Sequence, residues 1–546
     1  MMQRRIWLTA AAAGLALTVA ACGRSAGSAG SASGNVSPTK GLVATTPAGT
    51  KPVSSVVWAV YRDVNSLDPI FAFDYPENTA DSLMCESLLR QAPDGSLQPG
   101  LATVRHPNAT TTVFTLRPGV KFWDGHPVTP ADVVYSLNRA ANAKLGGFYT
   151  QVFTRVKSIA ATGSNQVTIT LKQPDYWLDG ELASMPGIVI EKSVAQQQGK
   201  NYGTPAGKIM CTGAYMLKSW TPGVGVVAVR NPHYWNTSVH PKVQQITIKG
   251  VPDTSTLTSG LLTGAIDGTY TFALPTLDQL RSSSAVHVTQ GPGWSSDLLI
   301  VSSFKGALGS MKVRQALSLA VNRQSIINSV YKGAALMPRW LANPGTFGYG
   351  QQAFMSAYDS SPVLAQNLTQ ARKLVREAGA TGKTITIGMS SQLANIAAVA
   401  GAYQSAAQAI GLKAKLYSVS AQNYINFFTD PKARAGVDAF PTVNYGDYAD
   451  PAALLATIVI PGGSQNYDNF NDPHVTALLE QARGTADLAK RAALVAQAEQ
   501  IAARELPWIP DVQPTSLLIT GKNLTGAVSS FAYMFAPWAN SLGGTG

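Results

Sequence analysis

Phe114-Thr115-Leu116-Arg117-Pro118-Gly119-Val120-Lys121-Phe122-Trp123-Asp124-Gly125, continued by Pro127-Val128-Thr129-Pro130-Ala131-Asp132-Val133, carries more structural punctuation than any other stretch of the chain. Val113 to Leu116 alternates and predicts a strand that stops at Pro118-Gly119. Gly119 and Gly125 are placed where turns need backbone angles that side chains disfavour. Thr129-Pro130-Ala131-Asp132 predicts a helix start. Thr129 caps, Pro130 fits the first helical position, and Asp132 complements the helix dipole. Val133, Val134 and Leu137 form the stripe that this helix buries.

Outward from this stretch, the folded part opens with Val56 to Val60, a continuous apolar run that reads as a buried strand. Asp81 to Arg90 has helical spacing at Leu83, Met84, Ser87 and Leu88. Val167–Leu171 and Gln244–Lys249 predict strands. The second half alternates. Helices are predicted over Val313–Val330, Ala371–Ala378 (ended by Gly379), Ala397–Ile410, 473–483 and 486–505. Strands are predicted at Ile385–Ile387 and Leu416–Val419. Such alternation implies an α/β fold.

The 546 residues exceed one ordinary domain, and 45% hydrophobic with 13% charged residues suits packed cores. Net charge is +12. Lys and Arg are scattered singly or in pairs, without a run of four, so the excess describes a solvated surface rather than a nucleic-acid site. At the N-terminus, Arg4-Arg5 precedes the uncharged stretch Ile6–Ala21, which is too short to span a bilayer. Val19-Ala20-Ala21-Cys22 closes it and resembles a bacterial lipobox, which implies a signal peptide over 1–21 and lipidation at Cys22. Residues 22–52, rich in Ser, Gly, Ala, Thr and Pro, read as a flexible tether. In an exported protein, Cys85 and Cys211 either pair or remain as two buried thiols.

No catalytic, metal or cofactor motif emerges. H-x-x-x-H, C-x-x-C and the full phosphate-loop pattern G-x-x-x-x-G-K-[ST] are missing, and G-x-S-x-G occurs once, at Gly23–Gly27 in a Ser/Gly/Ala-rich stretch with no strand to carry a nucleophile elbow. Gly223-Val224-Gly225-Val226-Val227-Ala228 fits G-x-G-x-x-A but runs into β-branched residues, and so reads as a hairpin turn. No catalytic residue, metal or cofactor is expected.

Several phrases, in order, resemble bacterial extracellular solute-binding proteins of the dipeptide/oligopeptide class, family 5. They are Ser66-Leu67-Asp68-Pro69, Glu86-Ser87-Leu88-Leu89-Arg90, Asp94 to Ala102, the opening stretch, Thr212-Gly213-Ala214-Tyr215, Arg230 to Trp235, and Val313 to Leu317. The resemblance implies two lobes and an extra domain, with ligand held in a cleft that closes about a hinge. Lobe I would be 53–90, 206–290 and 511–546, the extra domain 91–205, and lobe III 291–510. It implies no enzyme, but a monomeric lipoprotein on the outer face of the membrane. Its partners would be a peptide or similar solute and an ABC permease with cytoplasmic ATPases.

In the family's peptide binders an Asp after W-x-G or W-x-A holds the peptide ammonium. Here Asn444-Tyr445-Gly446-Asp447-Tyr448-Ala449-Asp450-Pro451 matches, with Asp447 at the anchor position and Asp450 as a helix cap. The family's Trp is replaced by Asn444. Ser390-Ser391-Gln392 stands where dipeptide binders carry a carboxylate-holding Arg, and Ala421 replaces a second pocket Trp. The pocket so implied is roomier and lacks a carboxylate clamp. It leaves an oligopeptide held by its backbone, an amine-bearing solute, or an oligosaccharide as ligand. Phe71, Phe73 and Tyr75 are placed to line the lobe I side. Asn444, Tyr445, Gly446, Asp447, Tyr75 and Ser391 are therefore the candidate ligand contacts.

Overall fold

The structure is a computed structural model, and it describes residues 40–546 apart from 272, 273 and 392. The expected signal peptide, Cys22 and residues 22–39 of the expected tether lie outside the described residues. From Val43 onward the tether reading is corrected. The N–H of Val43 donates to the Gln290 carbonyl at 2.9 Å, and isolated bridges join Thr45 to Val528 and Lys51 to Gly544. Composition missed this because the stretch is held by backbone bonds to the distant C-terminal segment, not by apolar side chains of its own.

Three sheets of four or more strands organise the described residues, beside two small two-stranded ones. The seven-stranded sheet runs Val286–Gly291, Ser516–Gly521, Gly268–Thr271, Val53–Val60, Val243–Gly250, Gly225–Arg230, Tyr215–Thr221. The six-stranded sheet runs Ala335–Leu336, Trp508–Pro514, Ser296–Val301, Ala439–Asn444, Thr384–Met389, Lys413–Ser418. Its central strands Ser296–Val301 and Trp508–Pro514 are buried at every position, with apolar clusters on both faces. A four-stranded antiparallel sheet runs Ala102–Asn108, Thr111–Leu116, Gln166–Leu171, Val156–Gly163.

The chain passes between the two large sheets at Pro292–Ser295 and at Thr515. The boundary expected at 511 is thereby corrected, because it falls inside Trp508–Pro514, whose hydrogen bonds belong to the six-stranded sheet. The crossings lie side by side. A Cβ on Gly293 would come 2.0 Å from the Pro514 carbonyl oxygen. The Asn343 side-chain amide donates to the Ser295 carbonyl at 2.7 Å and to the Pro514 carbonyl at 3.0 Å, stapling both crossings. Two adjacent, stapled crossings between two rigid sheets form a hinge.

The opening stretch folds as its residues dictate. The helix Pro130–Ala140 starts with a reciprocal capping box between Thr129 and Asp132, and Gly119 and Gly125 have φ of +77° and +92°. Gly223 turns the hairpin between Tyr215–Thr221 and Gly225–Arg230, as expected from its surroundings. Two helices differ from expectation. The one read at Asp81–Arg90 is Tyr75–Met84, capped by Asp74, and Leu89–Gln91 is a strand. Val313–Val330 is two helices, Met311–Ala320 and Arg323–Ser329, the second restarted by Asn322 as its cap. Cys85, just past the end of Tyr75–Met84, forms a disulfide with Cys211. Among the described residues no helix is long and apolar enough to cross a membrane.

Candidate ligand-binding cleft

The loop after strand Ala439–Asn444 carries the predicted anchor. Its geometry is set at both ends. Asn444 ends a strand paired with Ser296–Val301, and its Oδ1 accepts the Tyr445 N–H at 2.9 Å. At the other end Asp450 caps the helix Pro451–Val459 by accepting the Ala452 N–H at 2.8 Å. Gly446 lies against that helix, where a Cβ would come 2.5 Å from Ala453 Cβ, so this position excludes a side chain.

Elements distant in sequence close around the loop. Gln91 spans it: its Nε2 donates to the Asp447 carbonyl at 2.8 Å, and its Oε1 accepts the Ala449 N–H at 2.9 Å. The Tyr445 hydroxyl donates to the Phe73 carbonyl at 2.8 Å. The Tyr445 ring meets Tyr75 edge-on at 5.2 Å and Phe531 at 5.1 Å. The short helix Leu178–Glu181 presses in, with Gly180 so close to the Tyr448 ring that a Cβ would come within 2.5 Å of it. That contact sets Glu181 beside Asp447. Tyr445, Gly446, Asp447 and Tyr75 are thus brought to one place, with Asn444 at its edge. Ser391 sits on the exposed turn between Thr384–Met389 and Ala394–Ala409, while its neighbour Ser390 is fully buried.

Both carboxylates here lack a basic partner. Asp447 is only partly exposed, and burial alone raises its pKa from 3.8 to about 7. Burial, followed by repulsion from Asp447, pushes Glu181 up to about 8. Among the described residues no Lys, Arg or His forms an ion pair with either; the nearby Arg483 is committed to Asp175 at 2.5 Å. A pair of desolvated carboxylates without a counter-ion favours a bound cation. Gln91, Glu181 and Phe531 were missed from sequence because nothing local links them to the anchor loop.

The fold and this cleft define a two-lobed, ligand-capturing protein. Residues 96–466 match the family described as bacterial extracellular solute-binding proteins, family 5. The chain belongs to that family: it is an exported solute-binding protein and not an enzyme. The glutathione-binding protein GsiB of Salmonella typhi is 27% identical over 482 residues, covering 86% of this chain and 91% of its own. The periplasmic murein peptide-binding protein MppA of Escherichia coli is also 27% identical, over 83% of this chain and 86% of its own. Among solved structures, the periplasmic binding protein DppA of Helicobacter pylori in complex with the peptide STSA superimposes with a TM-score of 0.78. It is 20% identical and covers 91% of this chain and 99% of its own, which establishes the shared fold.

Proposed function

We propose that this protein captures a peptide, or another solute bearing a free ammonium group, for an ABC importer. The carrying observation is the Asp447 carboxylate, desolvated and without a protein cation in a loop touched by both lobes. A ligand ammonium supplies the missing charge. Charge-assisted hydrogen bonds strengthen as the lobes exclude water. Because ligand bridges the two lobes, it favours the closed arrangement by its differential affinity. That GsiB is a glutathione-binding protein, MppA a murein peptide-binding protein and DppA a protein seen with the peptide STSA supports a peptide-like solute.

In this reading lobe I comprises 53–90, 206–290 and the chain after Thr515, the extra domain 91–205, and lobe III the remainder. Asn444, Tyr445, Gly446 and Tyr75 line the site around Asp447, with Glu181 and Gln91 added. Ser391 faces the cleft only if its exposed turn moves in on binding. The protein is a monomer held to the outer face of the membrane through lipid on Cys22, and it delivers solute to a permease. An oligosaccharide is the second reading, favoured by the aromatic rings Tyr75, Tyr445 and Phe531.

Native mass spectrometry of protein purified without denaturation tests the ligand class. A co-purified mass that fragments as a peptide supports the first reading, and a neutral sugar overturns it. Fractionation tests the anchor: Cys22→Ala is expected to release the protein from membranes, and an acyl mass persisting on that variant refutes lipidation there.

A further inference from the structure

A second cluster of charged side chains lies on the extra domain, on elements that take no part in the cleft. Asp124 and His126 belong to the tight turn that closes when the Phe122 N–H donates to the His126 carbonyl at 2.9 Å, with Gly125 at φ +92°. Asp124 Oδ1 accepts the His126 N–H at 3.0 Å, which leaves Oδ2 toward the imidazole. Glu191 arrives from elsewhere in the chain, immediately before the helix Lys192–Gln198. His126 Nδ1 stands 3.0 Å from Asp124 Oδ2 and 3.2 Å from Glu191 Oε1. One donor atom from each of the three residues lies within 4.8 Å of the other two.

Hydrogen bonding leaves this cluster incomplete. Nδ1 carries at most one proton, and two carboxylates compete for it. The Glu191 side chain is only 8% exposed. Its Oε1 also accepts the Ser193 hydroxyl at 2.5 Å, while its Oε2 is buried and finds no partner. A carboxylate oxygen in that condition is costly unless something else meets it.

We propose that Asp124, His126 and Glu191 form a divalent-cation site, and that its ion is zinc. Zinc bonds to imidazole nitrogen and carboxylate oxygen at about 2.0–2.2 Å, so neighbouring ligand atoms in a tetrahedron stand about 3.3 Å apart. The two separations around Nδ1, 3.0 and 3.2 Å, already have that length. The ion takes the place of the shared proton, and the two carboxylate oxygens, which stand within 4.8 Å of each other, close in on it to complete the site. Charge favours the exchange: a neutral imidazole and two carboxylates sum to −2, which Zn²⁺ cancels and a single proton does not. One nitrogen with two oxygens suits zinc better than calcium or magnesium, which prefer all-oxygen shells. Asp124 and His126 are exposed, so the fourth position opens to water. The bound ion clips the turn to the start of helix Lys192–Gln198 and fastens two parts of the extra domain that are otherwise distant in sequence.

The test is titration of the full chain, purified without a polyhistidine tag, with zinc chloride alone. One equivalent is expected to bind, and to raise the melting temperature. His126→Ala and Glu191→Gln are each expected to weaken that binding by at least about tenfold, and to reduce the thermal shift in proportion. His126 is exposed and Gln matches Glu in size, so both variants should fold, and unliganded melting curves check this. Absence of saturable binding at about 0.1 mM zinc, or binding of equal strength in both variants, overturns the site.

Discussion

Asp68 and Asp447 are both carboxylates withdrawn from water, and the protein treats them oppositely. Asp68 is 1% exposed and is gripped by Nη1 and Nη2, the two terminal guanidinium nitrogens of Arg139, which also lies over the Tyr202 ring at 5.5 Å. Nearby, Arg62 pairs with Asp74 at 2.6 Å and Glu77 at 2.7 Å. Asp447 and Glu181 have no such partner. Where the fold itself needs a buried charge, it brings the counter-ion on another element. Where none is brought, the vacancy is reserved for a ligand or the acid stays protonated. Asp297 illustrates the second outcome: buried beside Asp511, it is pushed well up and accepts the Tyr331 hydroxyl at 2.5 Å. Asp447 differs from Asp297 in being partly exposed on a loop between lobes, which is why its vacancy reads as a binding site.

The contrast can be broken most severely on the structural side. Arg139→Leu leaves Asp68 buried and uncompensated, and is expected to destabilise the fold by about 3–5 kcal/mol. Denaturant unfolding measures this, and a loss under about 1 kcal/mol would show the pair to be replaceable. The matching change in the cleft should act on ligand instead. Asp447→Asn is expected not to weaken the fold, and above about pH 7, where the parent must hold a desolvated charge, to make it more stable. It should weaken a peptide with a free N-terminus by about 1.5–3 kcal/mol, on the order of 10–150-fold, in calorimetric titration. The N-acetylated peptide should bind weakly to both proteins. Affinity unchanged within about twofold would remove Asp447 from the anchor role.

The pH dependence sharpens the same contrast. The pKa of Asp447 in the folded chain, about 7, lies above the ordinary 3.8. The folded state therefore holds a proton that the unfolded chain releases. This group's contribution to stability is present at low pH, declines as pH rises from about 4 to about 7, and is constant above. An ammonium ligand reverses the demand, since it binds the ionised form. Affinity is expected to be full above about pH 7 and to fall below it, with a proton released on binding. Titrations in two buffers of different ionisation enthalpy measure that proton. An affinity flat from pH 5 to 8 would contradict a charged anchor.

A smaller effect is expected at Tyr445→Phe, which removes the hydroxyl donated to the Phe73 carbonyl but keeps the ring against Tyr75 and Phe531. One hydrogen bond of about 0.5–1.5 kcal/mol is lost from the closed arrangement. Affinity should fall by roughly two- to twelvefold, with small-angle scattering showing a more open unliganded protein.

Local signals in the sequence determined much of this molecule. The capping box at Thr129 and Asp132, the turns at Gly119, Gly125 and Gly223, and the Asp450 cap all depend on residues within a few positions of one another. Short-range sterics and hydrogen bonding decide such features before any tertiary contact forms. The ordered phrases from Ser66 to Leu317 carried the family, and Asp447 its candidate anchor. The helix Tyr75–Met84 was misread because apolar spacing was followed past Cys85, although Asp74 and Pro76 mark its true start. Only the tertiary structure decided what depends on long loops closing. It pairs Cys85 with Cys211, lays residues 43–51 along the C-terminal segment, and stacks the crossings at Gly293 and Pro514. It also sets Glu181 and Gln91 beside Asp447 and Glu191 beside His126. Each joins residues that no short-range interaction connects, so their meeting is fixed by sheet order and packing rather than by any pattern along the chain.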